Sequence, residues 1–151
     1  MLAREIMSRD VITVIPEEKV DKAARILVDN KISGLPVVDA DDHVVGIITE
    51  KDLIVRASEL KVPFYLTLFD SIIFLDNPIR FNNDIKKYTA SQVKDAMTRK
   101  VYVVEEDTPV SEIVEIMQKR AVNRVPVVRN DKLVGIITRN DILKTLVKSN
   151  G

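Results

Sequence analysis

Two short phrases in the sequence pair a hydroxyl with a carboxylate at a spacing that suits nucleotide binding. Thr49 and Asp52 belong to the phrase GIITEKD, and Thr138 and Asp141 belong to the phrase GIITRND. Each phrase is typical of a strand that ends where a helix begins. The free amide groups at a helix N-terminus attract a phosphate, and a carboxylate one turn later can accept from adjacent ribose hydroxyls. The motif therefore indicates a ribose-plus-phosphate site, and it occurs twice.

The same spacing has a simpler explanation. A Thr at the N-cap with an acidic residue three positions later is close to a capping box, in which the two side chains bond each other's backbone amides. Many such pairs do nothing else. Helix capping alone and nucleotide binding are both compatible with the motif.

The elements that position these motifs come from an internal repeat. Residues 7–38 match residues 97–128 at an offset of 90, and residues 46–52 match residues 135–141 at an offset of 89. A period of this kind indicates two copies of one structural unit. We predict a first copy at 1–56, a connector at 57–94 and a second copy at 95–151.

The sequence pattern of each copy predicts the order strand, helix, strand, strand, helix, which corresponds to an α/β (α+β) fold. In the first copy residues 11–15 are expected as a strand, and in the second Thr108 and Pro109 are expected to cap and open the helix. Because neither copy can bury its apolar face alone, we expect the two pseudo-symmetric repeats to pack sheet to sheet. The first helix should bury one apolar stripe, made of Val20, Ala23, Ala24, Leu27 and Val28.

The motifs together resemble a known family. SGLPVVD followed by VVGIITEKD, and NRVPVV followed by LVGIITRND, are similar to the cystathionine-β-synthase (CBS) domain, as are the openings MSRDVITV and MTRKVYVV. Two such domains in tandem resemble a CBS pair, or Bateman module. The resemblance covers about residues 7–56 and 95–146.

The resemblance implies two ligand sites in the clefts between the copies, with the Asp on the ribose diol and the Thr on the phosphate. Each site would take residues from both copies. Site A would contain Thr138, Asp141, Ile12, Ile32 and Ser33. Site B would contain Thr49, Asp52, Tyr102, Val122, Asn123 and Arg124.

The two copies differ at one position that bears on ligand charge. The second copy has Arg124 where the first has Gly34. A guanidinium matches a phosphate well, and in similar proteins a basic residue often stands here. We therefore predict that site B takes the more highly charged nucleotide. The alternative is that Arg124 is a surface charge.

The connector contains an aromatic-rich segment over 62–81, and its apolar residues over 62–73 follow a helical spacing. We expect a helical segment that contributes to a core or to self-association; docking of a regulated protein is the alternative. The resemblance also implies a homodimer, with two pairs face to face in a flat disc. Six of the seven aromatic residues lie in the connector: Phe64, Tyr65, Phe69, Phe74, Phe81 and Tyr88.

The composition narrows the classes of function. Lys plus Arg equal Asp plus Glu, 23 against 23, which disfavours a nucleic-acid partner. There is no Cys and a single His43, in a polar turn, where we expect it to be solvated rather than to bind a metal. No apolar run is long enough to span a membrane. No catalytic constellation is present, so an enzyme is not expected. The absence of Cys suits a reducing compartment, so a cytoplasmic location is expected.

The resulting prediction is a regulatory module that binds an adenosine-type ligand, AMP, ADP or ATP, with Mg²⁺ accompanying ATP. Occupancy would act by shifting the module between two arrangements. Other ligands known for similar proteins are S-adenosylmethionine, NAD and cyclic di-AMP. The alternatives of a different class are a ligand-free dimerisation scaffold and a nucleic-acid binder.

Overall fold

The computed structural model describes residues 1–59 and 91–149, so the helical stripe predicted over 62–73 and the rest of the aromatic-rich segment lie outside the described residues. The described residues form a mixed α/β structure with two small sheets, which confirms the predicted fold class. They divide into two compact units. Unit I contains residues 1–13, 36–47 and 99–149, and unit II contains residues 14–35, 48–59 and 91–98.

The described helices and strands follow the order predicted for each copy, with two differences: the first strand of the first copy is missing, and each copy opens with a short helix that was not predicted. The first copy contains α1 (Ala3–Ile6), α2 (Val20–Asn30), β1 (Gly34–Val38), β2 (Val44–Thr49) and α3 (Glu50–Glu59). The second contains α4 (Val93–Ala96), β3 (Val104–Glu105), α5 (Val110–Arg120), β4 (Arg124–Arg129), β5 (Lys132–Thr138) and α6 (Arg139–Lys148). One sheet has the order β1-β2 and the other β3-β4-β5.

The three-stranded sheet carries the core of unit I. β3 runs parallel to β4, and β4 runs antiparallel to β5, with Val125 opposite Ile137 and Arg124 opposite Thr138. The Val-Pro-Val-Val run of β4 is buried throughout, as expected of a central strand covered on both faces. The buried cluster comprises Ala3, Met7, Val104, Ile113, Val125, Val127 and Ile137.

Each copy begins with an entry segment, residues 1–8 in the first copy and 91–98 in the second, and each entry segment packs against the opposite copy. The sequence repeat does not reveal this exchange. In unit I the first entry segment, residues 1–8, lies against the second copy. Its backbone bonds are Ala3 N to Thr108 O at 2.8 Å, Arg4 N to Glu106 O at 2.9 Å, and Val110 N to Met1 O at 2.9 Å. In unit II the second entry segment, residues 91–98, makes the equivalent bonds to the first copy. These are Val93 N to Glu18 O at 2.7 Å, Lys94 N to Pro16 O at 2.9 Å, and Val20 N to Ser91 O at 3.0 Å.

The exchange explains how the helices α2 and α5 begin. The first amides of a helix have no partner within it. Here the amides of Val20 and Val110 donate to carbonyls of the exchanged entry segments. The prediction that Thr108 caps α5 and Pro109 opens it is therefore wrong. Pro109 is the N-cap, and the Thr108 hydroxyl accepts from the Glu105 amide at 3.1 Å, which closes the preceding turn.

Two other local predictions for the first copy are also wrong. Residues 11–15 contain a single bridge residue, Val14, rather than a strand. Pro16 follows, and a proline has no N–H with which to extend a ladder. On α2, Val20, Ala23 and Leu27 are buried as predicted, whereas Val28 is 74% exposed because it lies at the edge of the apolar stripe.

No helix in the described ranges, 1–59 and 91–149, has the length and apolar character needed to cross a bilayer.

Candidate functional site

The second Thr-x-x-Asp motif joins β5 to α6 in unit I. The Thr138 amide donates to Asp141 Oδ2 at 2.8 Å, and the Thr138 hydroxyl donates to the same oxygen at 3.0 Å. The Arg139 amide donates to the Asn123 carbonyl at 2.9 Å, which ties the first helical residue to the loop before β4. The carboxylate is thus held in one orientation at the positive end of the helix.

The first motif joins β2 to α3 in unit II with the same geometry. The Thr49 amide and hydroxyl donate to Asp52 Oδ2 at 3.0 and 3.1 Å, and the Asp52 amide donates back to the Thr49 hydroxyl at 3.2 Å. The Glu50 amide donates to the Ser33 carbonyl at 2.9 Å, matching the bond from Arg139. Helix capping by both motifs is therefore confirmed.

Asp52 has one contact that Asp141 does not share. The Thr98 hydroxyl donates to Asp52 Oδ1 at 3.0 Å, so both carboxylate oxygens of Asp52 accept hydrogen bonds. Within residues 1–59 and 91–149, nothing donates to Oδ1 of Asp141. The two motifs therefore share the cap and differ at the second carboxylate oxygen.

The remaining residues predicted for site A fall in both units. Ile12, in unit I, is 38% exposed and presents an apolar surface. Ile32 and Ser33, in unit II, follow the end of α2 and are half-buried. The Ile32 amide donates to the Leu27 carbonyl at 3.0 Å, which ties Ile32 to the end of α2, and the Ser33 carbonyl accepts from the Glu50 amide at 2.9 Å.

The residues predicted for site B from the second copy lie together in unit I, and Thr49 and Asp52 lie in unit II. Tyr102 is half-buried, and Val122 packs against the core. Asn123 is exposed and offers its carbonyl to the helix α6. Arg124 is half-buried in β4, directly opposite Thr138.

The comparison with known families decides the identity of the fold. The family model of the CBS domain matches residues 3–59 and 93–148, which is most of the chain. The chain belongs to the CBS-domain family. The tandem arrangement makes it a CBS pair, as its sequence predicts.

Similar proteins include one curated relative and two crystal structures of CBS proteins. The chain is 31% identical to the uncharacterised protein MJ1426 of Methanocaldococcus jannaschii, over 97% of the chain and 92% of that protein. It resembles CBSX2 in complex with AMP with a TM-score of 0.75 at 27% identity, covering 99% of this chain and 98% of CBSX2. It resembles the CBS pair of MJ0100, in complex with 5′-methylthioadenosine and S-adenosylmethionine, with a TM-score of 0.73 at 28% identity, covering 99% and 98%.

In this CBS pair three residues that the sequence did not single out contact predicted site residues: Thr98, Lys100 and Arg120. Thr98 contacts Asp52, as described above. The Tyr102 ring has two cations beside it, with the Arg120 guanidinium 5.1 Å and the Lys100 ammonium 5.8 Å from the ring centre. Cation–π contacts at these distances place positive charge beside the ring. No spacing rule connects residue 98 with residue 52, so sequence patterns could not predict the contact between Thr98 and Asp52.

His43 lies in the β1–β2 turn of the first CBS copy beside two carboxylates. Asp39 Oδ1 accepts from the amides of Asp41 and His43, each at 2.9 Å, and Asp39 Oδ2 lies 3.3 Å from His43 Nδ1. These hydrogen bonds hold the pKa of Asp39 below its usual value, the amide of His43 contributing most. The geometry is that of a closed polar turn.

Proposed function

We propose that this CBS pair is a cytoplasmic regulatory module, without catalytic activity, that binds an adenosine-type ligand such as AMP, ADP or ATP. The ligand's ribose is held by the carboxylate of a Thr-x-x-Asp motif, and its phosphate lies at the N-terminus of the following helix. Mg²⁺ accompanies the ligand when that ligand is ATP. Site A and site B, as defined above, are the two candidate positions.

The observation that carries this proposal is the orientation of Asp141. Its Oδ2 is fixed by two bonds from Thr138, while Oδ1 accepts from nothing within the described part of the chain. A carboxylate with one oxygen anchored and the other available is already oriented for a ribose hydroxyl. Because its rotamer is fixed before binding, ordering it costs less of the binding free energy.

The ligands in two similar crystal structures support the ribose part of this chemistry, and one of them supports the phosphate part. CBSX2 is in complex with AMP, and the MJ0100 pair is in complex with 5′-methylthioadenosine and S-adenosylmethionine. All three ligands contain adenine and a ribose diol, and they differ at the 5′ position, where only AMP carries a phosphate. This favours adenosine as the common element, with S-adenosylmethionine as the second candidate ligand.

Exposed apolar side chains support a homodimer. On α6, Leu143, Leu146 and Val147 are 54%, 57% and 74% exposed, and on α3, Ile54 is 57% exposed. Apolar side chains grouped on a helix face favour burial against a partner. We propose that the apolar surface of each of these helices is buried when two CBS pairs associate.

The proposed function is tested by ligand binding to matched variants. Purified protein is titrated calorimetrically with adenosine, AMP, ADP, ATP and S-adenosylmethionine, and its thermal unfolding is measured with each. A ligand at a hundred times its Kd adds about 2.7 kcal/mol to stability. For a chain of this length that raises Tm by roughly 5–10 °C.

Asp52→Asn and Asp141→Asn are the matched variants, because asparagine keeps an acceptor for the cap and loses the charge. Their stability without ligand is measured first, so that loss of the cap is separated from loss of binding. We expect Asp141→Asn to abolish or strongly weaken one binding event. If the wild type unfolds cooperatively and none of the five ligands binds it, the proposal is wrong and a ligand-free scaffold is favoured.

A further inference from the structure

The two Thr-x-x-Asp motifs differ in the oxygen that would face a ligand. In both, Oδ2 is used by the cap. In unit II, Oδ1 of Asp52 also accepts the Thr98 hydroxyl at 3.0 Å. In unit I, Oδ1 of Asp141 has no donor within residues 1–59 and 91–149.

The difference arises from the entry segments. Thr98 is the second residue of MTRK, and Ser8 is its equivalent in MSRD. The amide and carbonyl of Ser8 bond Ile136 at 2.9 and 3.0 Å, so the Ser8 backbone is well anchored in unit I. Among the described residues, however, the Ser8 hydroxyl has no hydrogen-bond partner. The structural equivalent of the Thr98–Asp52 contact is therefore missing from the other unit.

The contact affects what Asp52 can accept. A carboxylate oxygen has two lone-pair sites, and a ribose diol presents two neighbouring hydroxyls. Asp52 already accepts two hydrogen bonds at Oδ2 and one at Oδ1. A ribose that approaches Asp52 must share Oδ1 with the Thr98 hydroxyl or displace it, whereas Asp141 imposes no such competition.

We propose that Thr98 is a specificity-determining residue, which occupies the ribose acceptor of Asp52 and so directs an adenosine ligand first to Asp141. This inference rests on the proposed function. Thr98 is exposed, and Ser8 is exposed in the same way. Solvent therefore reaches the contact, and its effect is that of one ordinary hydrogen bond, about a two- to tenfold change in affinity.

In this role Thr98 competes with the ribose of the ligand and does not affect its phosphate. Removing its hydroxyl should therefore strengthen adenosine and AMP binding alike. It should not strengthen binding of a 2′,3′-dideoxy analogue, which has no diol to compete for Oδ1. This pattern separates Thr98 from Arg124, whose predicted role concerns phosphate charge alone.

The test uses Thr98→Val, which keeps the shape of the side chain and removes the donor. It is made in the full chain and in an Asp141→Asn background, where only the Asp52 motif keeps its carboxylate. Ser8→Val is the matched control. Calorimetric titrations with AMP, adenosine and 2′,3′-dideoxyadenosine are compared for all variants, and the dideoxy compound reports any merely structural effect.

We expect Thr98→Val to tighten AMP and adenosine binding about two- to tenfold in the Asp141→Asn background, with no gain for the dideoxy compound and no effect of Ser8→Val. Unchanged affinity, or an equal gain for all three ligands, would overturn the inference while leaving the proposed function intact. Weaker binding would also overturn it, because Thr98 would then orient Asp52 for the ligand. If neither the wild type nor Thr98→Val binds any of these compounds, the inference fails, and the proposed function fails with it only if ADP, ATP and S-adenosylmethionine do not bind either.

Discussion

Gly135, in the second GIIT phrase, gives the most direct test of how an exchanged entry segment is held. A Cβ added at Gly135 would lie 2.5 Å from Met7 Sδ, 2.9 Å from Met7 Cγ and 3.1 Å from the Ser8 carbonyl oxygen. Distances below 3 Å require displacement of the neighbouring atoms. The Ser8 carbonyl is bonded to the Ile136 amide at 3.0 Å, so it cannot move without weakening the bridge.

The magnitude follows from two opposing effects. Gly135 does not have a positive φ, so alanine suits the backbone and should stabilise the protein by about 0.4–1 kcal/mol through the unfolded state. Overpacking of a buried contact costs about 1–3 kcal/mol. Met7 is only 9% exposed, so its side chain has little room to retreat. We therefore expect Gly135→Ala to lower the free energy of unfolding by about 1–2 kcal/mol, or Tm by roughly 2–8 °C.

A double-mutant cycle identifies Met7 as the cause. Met7→Ala alone should cost about 2–5 kcal/mol because it leaves a cavity. Combined with Gly135→Ala, the new methyl group occupies part of that cavity, and the double variant should be at least about 0.5 kcal/mol more stable than additivity predicts. The assay is urea denaturation of all four proteins. Additive effects, or a stabilising Gly135→Ala, would refute the close contact between the entry segment and β5.

Three other perturbations test the structure. Without ligand, Asp52→Ala and Asp141→Ala should each cost about 1 kcal/mol in urea denaturation, since each removes the acceptor of a helix cap; no loss would mean that the caps contribute nothing. Ala121→Gly should stabilise the protein by up to about 1 kcal/mol in the same assay, because Ala121 ends α5 with φ 52°, a left-handed conformation that favours glycine. Hydrogen bonds from Arg129 hold the pKa of Glu106 below its usual value. The pair therefore stabilises the fold at pH values above the usual glutamate pKa, and this stabilisation is lost as the pH falls through the lowered pKa. The Tm difference between wild type and Glu106→Gln should therefore shrink on acidification, and a difference independent of pH would contradict the assignment.

Local patterns predicted the parts of the fold that depend on local energetics. The caps follow from hydrogen bonds between residues three positions apart, and the strands β1, β2, β4 and β5 follow from short apolar runs bounded by turns. The start of α5 was predicted wrongly because its first amide is satisfied by Met1, more than a hundred residues away in the chain. A repeat shows which segments are alike, and it cannot show which of two equivalent segments packs against which copy. The Thr98 contact depends on that exchange, so it lay beyond any pattern in the sequence.

The sequence left helix capping and ligand binding as alternative roles of the Thr-x-x-Asp motif. In the geometry of Asp141 the cap occupies only one carboxylate oxygen, so the two roles are compatible. The cap uses Oδ2, and Oδ1 accepts from no other described residue. A side chain fixed by a cap has already lost the rotamer freedom that a ligand would otherwise have to remove, so capping lowers the cost of binding at the second oxygen. In the first copy the same cap is present, and Thr98 supplies from within the chain the hydrogen bond that a ribose would supply. Two nearly identical motifs thus have equal structural roles, because each forms its own cap. Under the proposed function they differ in affinity, because the exchanged entry segment decides whether the second carboxylate oxygen is already occupied.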